Sequence, residues 1–224
     1  MVLEFFRGNV DQPLEEIESL IVGMLNDSRH TFDLAINAVV GGTDAAAVGK
    51  EIRKSDRKVN KAEREVRRQI VVQISVRGER VDVPHVLAWM SIIKDAERIG
   101  DYAKNIWDLA AAGVDLSGAE DTATWLAYRD RTSHLIANCA RIFSERDADA
   151  AHEILPGLDD ALDEYDAIVE NQFVSEGRPR DAVSRALLSR YLKRITAHAM
   201  NVLTSLVMPI ERLDYYDEKK ADRW

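Results

Sequence analysis

The sequence contains an internal repeat, and both copies have the spacing of helices. Positions 56–66 share their pattern of polar residues and a final valine with positions 159–169, and positions 97–106 align with positions 193–202. Apolar residues recur in these segments every three or four positions, as in a helix that buries one face. Strand patterns are nearly absent. The repeat therefore predicts two equivalent helical units and an all-α protein.

Glycine and proline residues interrupt the helical pattern and divide each unit into three helices. The predicted helices cover about 14–40, 44–76, 84–112, 121–144, 148–175 and 181–212. The segment 113–119 is the only convincing linker inside the chain, because the same helical pattern starts again after it. The expected architecture is two tandem three-helix bundles, residues 1–114 and residues 115–224, the second with a C-terminal tail.

Composition and charge exclude several classes of protein. The chain has 224 residues, of which 46% are apolar, and no apolar run has the length of a membrane span. Its N-terminus lacks the basic region of a secretory signal, and the single cysteine, Cys139, excludes an internal disulfide. We therefore expect a cytoplasmic protein. The net charge of −9 disfavours non-specific nucleic-acid binding, although positions 50–68 are locally basic.

The third predicted helix carries two carboxylates one turn apart, Glu97 and Asp101. Like charges at this spacing destabilise a helix by about 0.2–0.5 kcal/mol unless a positive charge offsets them. Oxygen ligands at this spacing suit a hard or borderline metal ion. The alternative is a solvated acidic stripe whose repulsion is relieved by Lys94 and Lys104.

The segment 95–106, Asp-Ala-Glu-Arg-Ile-Gly-Asp-Tyr-Ala-Lys-Asn-Ile, resembles the signature of the PhoU family. These bacterial and archaeal proteins regulate phosphate uptake, and their E/D-x-x-x-D motifs bind metal clusters. The resemblance implies two three-helix bundles side by side over nearly the whole chain. It also implies a divalent or ferric ion, such as iron, zinc or magnesium, held by Asp56, Asn60, Glu97 and Asp101. The amide of Asn60 brings no charge, so we expect a weaker site or fewer ions.

The second repeat departs from this ligand pattern. Lys193 and Ala197 stand where the first repeat has glutamate and aspartate, although the acidic stripe of the preceding helix is kept. We hypothesise that the Lys193 ammonium takes the place of the metal and pairs with Asp159 or Asp163. The alternative is that Lys193 faces solvent and the acidic stripe binds metal without it.

The resemblance implies a non-enzymatic, metal-binding regulator that joins phosphate supply to signalling through protein contacts. The implied partners are the ATPase subunit of a phosphate transporter, a sensor histidine kinase and further copies of the chain. Nucleic acid is not an expected partner, and membrane contact is expected only through other proteins. A second interpretation is an accessory subunit of another phosphate or cation transporter. A carboxylate–metal hydrolase or oxidase is disfavoured, because no Glu-x-x-His pair or nucleophile motif accompanies the acidic residues.

Overall fold

The computed structural model describes residues 12–78 and 81–213, with side chains from Leu14 onward. Over these residues the chain forms six long helices and no strand, which confirms the predicted all-α fold. Their bounds are α1 Gln12–Val40, α2 Ala45–Arg77, α3 Val83–Ala111, α4 Thr122–Glu145, α5 Ala148–Phe173 and α6 Pro179–Thr204. None of these helices combines the length and the apolar content that a bilayer span requires.

Aspartate side chains cap the N-termini of three of the helices. The carboxylate of Asp44 accepts a hydrogen bond from Ala46 N at 2.9 Å, at the start of α2. Asp82 and Asp147 accept in the same way at the starts of α3 and α5. Each bond satisfies one of the amide groups that the first turn of a helix leaves without a partner. The sequence therefore marks these starts locally, and the predicted and observed bounds agree there within a few residues.

The end of the sixth helix differs from the prediction. The apolar pattern indicated a helix to residue 212, but α6 ends at Thr204 and is followed by turns and a short 3₁₀ helix, Ile210–Arg212. Pro209 explains the difference. Proline has no amide hydrogen to donate, and its ring clashes with the carbonyl group four residues earlier in a continuous helix. The prediction was wrong here because it followed the apolar spacing and did not take the effect of Pro209 into account.

The helices form a central layer with one further helix on each side. Helix α1 packs against α2, α3 and α4, and α3 packs against α1, α2 and α6. Helix α2 lies outside α1 and α3, and α5 lies outside the layer against α6. One continuous cluster of buried apolar side chains runs through both repeats. The division of the chain at residue 114 stays a prediction.

The two repeats face in opposite directions along the central layer. Arg180, at the start of α6, donates hydrogen bonds to the carbonyl groups of Ala112 and Gly113, just past the end of α3, at 3.1 and 2.8 Å. Helices α3 and α6 therefore run antiparallel. The connection between α2 and α3 consequently lies at one end of the molecule, and the connection between α5 and α6 lies at the other.

A glycine allows α2 to approach α3 closely. Gly49 is buried against the indole ring of Trp107, whose Nε1 donates a hydrogen bond to the carbonyl oxygen of Ala45 at 2.8 Å. The guanidinium of Arg53 lies 5.1 Å from the centre of the same ring. A Cβ at position 49 would lie 2.5 Å from Trp107 Cζ2, which is too close for two carbon atoms.

Gly49→Ala should therefore lower the free energy of unfolding by about 1–3 kcal/mol, because the indole must move and its hydrogen bond must weaken. Urea denaturation measures this change. Gly23→Ala in α1 is the matched control, because a Cβ there would have no atom within 4 Å. The control should raise the free energy of unfolding by about 0.4–1 kcal/mol. Equal effects of the two substitutions would contradict the proposed close approach.

Candidate functional site

The four residues predicted as metal ligands lie on the polar edges of α2 and α3. Asp56 and Asn60 are half-buried on α2, and Asp101 is half-buried on α3. Glu97 is almost fully buried, with 7% of its surface exposed. Burial of a carboxylate at this level is unusual and requires positive partners. We call this line of polar side chains the α2–α3 seam.

Basic side chains accompany the carboxylates of the α2–α3 seam. Lys104 Nζ lies 3.6 Å from Asp56 Oδ1, and Arg98 Nη1 lies 3.5 Å from Asp101 Oδ2. Lys94 Nζ lies 2.7 Å from Glu97 Oε2. The sequence-based alternative expected a solvated acidic stripe relieved by Lys94 and Lys104. Lys94 does pair with Glu97, but Lys104 pairs with Asp56 of α2, and Glu97 is buried.

One acidic residue of the seam was missed as a site residue. Glu63 of α2 is 8% exposed, and its Oε1 lies 2.8 Å from Arg67 Nη2 and 3.8 Å from Lys94 Nζ. Lys94 thus contacts a carboxylate from each helix. The sequence did contain the signal, because Glu63 follows Asp56 by two helical turns on the same face.

The surroundings of Asp101 in the α2–α3 seam disfavour its charged form. Burial raises the pKa of the Asp101 carboxyl, and the carboxylates of Glu97 and Asp56 raise it further. Arg98 and Lys104 lower the pKa and do not fully offset the increase. A buried oxygen of the seam is also incompletely satisfied. Glu97 Oε2 accepts no hydrogen bond of good geometry, although Lys94 is near it.

The donor types fit a hard cation, but the side chains do not form a ligand cage. Carboxylate and amide oxygens are the donors that hard divalent ions and ferric iron accept. In the part of the chain that the structure describes, no three His, Cys, Asp or Glu side chains are grouped closely enough to hold a metal ion. Lys94 and Lys104 stand against the carboxylates instead. Metal binding at Asp56, Asn60, Glu97 and Asp101 therefore stays a prediction.

The equivalent seam of the second repeat, between α5 and α6, contains a lysine. Lys193 of α6 forms an ion pair with Asp166, and Arg190 Nη1 lies 3.9 Å from the same carboxylate. Lys193 thus contacts the acidic stripe of α5 at Asp166, one helical turn beyond Asp163. Its pairing with Asp159 or Asp163 stays a prediction. Its side chain is 21% exposed, so it does not simply extend into solvent.

A polar cluster joins the two repeats where α3 meets α6. His198 of α6 is buried, and its Nδ1 lies 2.8 Å from the Oδ1 atom of Asp95 on α3. Asn201 Nδ2 donates a second hydrogen bond to that oxygen at 3.0 Å. The His198 Nε2 atom lies 3.3 Å from Arg194 Nη2. Because arginine can only donate, Nε2 accepts, and Nδ1–H donates to Asp95.

Comparison with known proteins shows what the chain is similar to. Residues 21–110 match the family model described as the PhoU domain. This part of the chain is similar to a PhoU domain. The matched range contains α2 entirely, all of α3 except its last residue and most of α1, together with all four predicted ligands. The family resemblance inferred from segment 95–106 is confirmed.

The fold extends this likeness beyond the PhoU domain match. The crystal structure of PhoU from Pseudomonas aeruginosa superimposes with a TM-score of 0.76, covering 88% of this chain and 96% of that chain. Sequence identity is 19%, so this comparison shows the fold. The second repeat lies outside the family match, but the 88% coverage means that most of it belongs to the superimposed fold. A comparison with curated protein sequences found no match.

The raised pKa of Asp101 gives a pH-dependent prediction. A carboxyl whose pKa is higher in the folded than in the unfolded state adds stability below its unfolded pKa and loses that contribution as pH rises through the folded pKa. At about pH 7 the charged carboxylate therefore costs stability. With a chelator present, Asp101→Asn should raise the free energy of unfolding at about pH 7. The gain should disappear at about pH 3.

Asp121→Asn is the control with the opposite sign. Hydrogen bonds from Arg185 lower the pKa of the Asp121 carboxyl, so its contribution is present above the unfolded pKa and is lost as pH falls. This variant should be less stable than the parent at about pH 7. Urea denaturation across the pH range tests both variants. A loss of stability in Asp101→Asn at neutral pH would contradict the raised pKa that we assign to Asp101.

Proposed function

We propose that this chain is a non-enzymatic regulator of phosphate uptake and of phosphate-responsive signalling. The observation that carries the proposal is the PhoU domain match over residues 21–110, which supports a role of this kind. The PhoU fold over most of the chain is consistent with it. The regulator acts by contact with other proteins, since the fold offers long helical faces for such contacts.

The surroundings of Cys139 and His198 are consistent with a non-enzymatic role. The thiol of Cys139 is fully buried, and burial raises its pKa above the usual range, so it is not a thiolate nucleophile. His198 is held between Asp95 and Arg194, with both ring nitrogens engaged. These groups stabilise the structure and are poorly placed to attack a substrate or to move a proton.

The partners that we propose are the ATPase subunit of a phosphate transporter, a sensor histidine kinase and further copies of the chain. Such partners place the regulator in the cytoplasm, at the inner face of the membrane. The alternative interpretation, an accessory subunit of another phosphate or cation transporter, uses the same kind of protein contact. Only the transported ion and the downstream response differ.

We further propose that the α2–α3 seam exchanges lysine ammonium groups for a metal ion. Lys94 and Lys104 have long side chains that reach the carboxylates from the surface, and each is more than a third exposed. Their withdrawal would free Glu97, Asp101 and Asp56 as oxygen ligands, with Asn60 beside them. A bound cation would favour the charged form of Asp101, whose pKa is raised first by burial and then by the carboxylates of Glu97 and Asp56.

Deletion of the gene tests the regulatory role. In phosphate-rich medium, loss of the protein should change both phosphate uptake and the expression of a phosphate-responsive reporter, and the intact gene should restore both. Cross-linking in the same cells identifies the partners. Unchanged uptake and reporter expression, with cross-links to an unrelated transporter, would favour the accessory-subunit alternative.

Removal of two ligands tests the metal proposal. The double variant Glu97→Ala and Asp101→Ala should lose the metal content of the purified protein and the rise in melting temperature that added metal produces. Elemental analysis and thermal melting measure both effects. The double variant Glu97→Gln and Asp101→Asn removes both charges but keeps the shape of the side chains. It therefore distinguishes loss of ligands from a folding defect. Asp163→Ala with Asp166→Ala removes two carboxylates from the second repeat, and it should keep the metal.

Retention of metal by the first double variant, or loss only in the second, would overturn the assignment to the α2–α3 seam. Loss of metal with unchanged phosphate regulation would separate metal binding from the proposed regulatory role.

A further inference from the structure

The outward edge of α2 is a continuous line of basic side chains. At about 100° per residue, a stripe about 100° wide runs along this helix directly opposite its buried face. Between positions 50 and 68 every residue in that stripe is Lys or Arg, and all are exposed: Lys50, Arg53, Lys54, Arg57, Lys61, Arg64 and Arg68. At about 1.5 Å per residue the line is roughly 27 Å long. We call it the basic edge.

Much of this positive charge is not used inside the protein. Lys54 pairs with Glu51, and Arg68 pairs with Glu65. The remaining cations include four that form no salt bridge with another residue of 12–78 or 81–213: Lys50, Arg57, Lys61 and Arg64. Seven cations in one line on a chain of net charge −9 create a strongly polarised molecule.

The basic edge ends in an exposed apolar patch. Val71 and Val72 continue the same stripe one turn beyond Arg68, and they are 57% and 42% exposed. Val76 is 78% exposed in the last turn of α2. Val83 and Leu87 of α3, on the other side of the connection, are also exposed. An apolar patch beside a line of cations allows one surface to be bound both by charge attraction and by burial of apolar side chains.

The equivalent edge of the second repeat lacks this character. Helix α5 contains eight Asp and Glu residues and no Lys or Arg, whereas α2 contains ten Lys and Arg and four Asp and Glu. The repeat alignment places Glu153 at the position of Lys50, Asp160 at that of Arg57 and Glu164 at that of Lys61. An anionic surface would therefore attract one edge of the molecule and repel the other, which fixes the orientation of binding.

We propose that the basic edge, with its apolar end, binds the surface of an anionic membrane directly. Lys and Arg side chains are attracted to acidic lipid headgroups, and stable peripheral binding needs a second signal besides charge. The exposed valines at the end of α2 supply that signal, because they can enter the boundary between headgroups and acyl chains. The lipid class that fits is any anionic phospholipid. This contact goes beyond the proposed function and does not depend on it.

Two other occupants fit the basic edge less well. The acidic edge of a second copy has only three carboxylates at the seven equivalent positions, and Pro156 and Gly157 interrupt them. One of the three, Glu164, is already bound by Arg131 and Tyr128. Nucleic acid would gain nothing from the exposed valines, and the stripe carries no aromatic side chain on which a base could stack.

Sedimentation with lipid vesicles tests the proposal on the full chain. Vesicles of phosphatidylcholine with about a third phosphatidylglycerol should retain the protein, and vesicles of phosphatidylcholine alone should not. Salt at about 1 M should release it, because charges are then screened within about 3 Å. The triple variant Lys50→Glu, Arg57→Glu and Lys61→Glu should bind the anionic vesicles at least about tenfold more weakly.

A matched variant distinguishes the effect of the position of the charges on vesicle binding from the effect of the net charge. Arg141→Glu, Arg178→Glu and Arg190→Glu change three exposed arginines away from α2, and this variant should bind as the parent does. Val72→Asp with Val76→Asp should weaken binding with the cations intact. A triple change to glutamine at positions 50, 57 and 61 provides a folded comparison if charge reversal destabilises α2.

Three results would overturn the proposal. They are equal binding to both kinds of vesicle, equal loss in the two triple variants, and no binding of the parent to anionic vesicles. Sedimentation velocity without lipid tests the alternative that the basic edge binds a second copy of the chain. Salt-sensitive self-association that only the α2 variant loses, with no vesicle binding, would assign the basic edge to another copy of the chain.

Discussion

The packing of α3 on three sides is the constraint on which the rest of this structure depends. Ile99, Ala103 and Ile106 are fully buried, and the helix contacts α1, α2 and α6. Gly100 keeps α3 close to α1, since a Cβ there would lie 3.0 Å from Ser28 Oγ. A helix enclosed in this way has few exposed positions. Its polar residues therefore lie along narrow seams, where each has a specific neighbour from another helix.

The α3–α6 contact and the α2–α3 seam differ in how completely their buried carboxylates are paired. At the α3–α6 contact, Asp95 accepts hydrogen bonds from His198 and Asn201, so the buried carboxylate is well satisfied. At the α2–α3 seam, carboxylates from both helices approach one another, and the cations near them do not fully compensate. A buried network that is fully paired holds helices together, whereas an incompletely paired one is where a ligand gains most by binding. The first contact is structural, and the second is the candidate site.

The internal repeat explains the fold and also shows where the two halves have diverged. Both halves keep the same three helices and the same apolar faces, because these positions hold the core. The polar positions differ between the halves: Glu97 corresponds to Lys193, and the basic edge of α2 corresponds to an acidic edge on α5. Core positions are constrained by close packing, but an exposed edge is constrained only by what it contacts. The asymmetry of the edges consequently points to different contacts at the two sides of the molecule.

The sequence by itself determined the all-α class, the six helices, most of their ends and the resemblance of residues 21–110 to the PhoU domain. These features follow from local rules, namely apolar spacing, aspartate caps and a short signature around Glu97 and Asp101. It also placed Glu63 on the acidic face without showing that this residue would be buried. Tertiary structure alone decided which cations stand against which carboxylates, and that Asp95 pairs with His198 from the other repeat. Those contacts depend on the distance and rotation between helices far apart in the chain, and no local spacing contains that information.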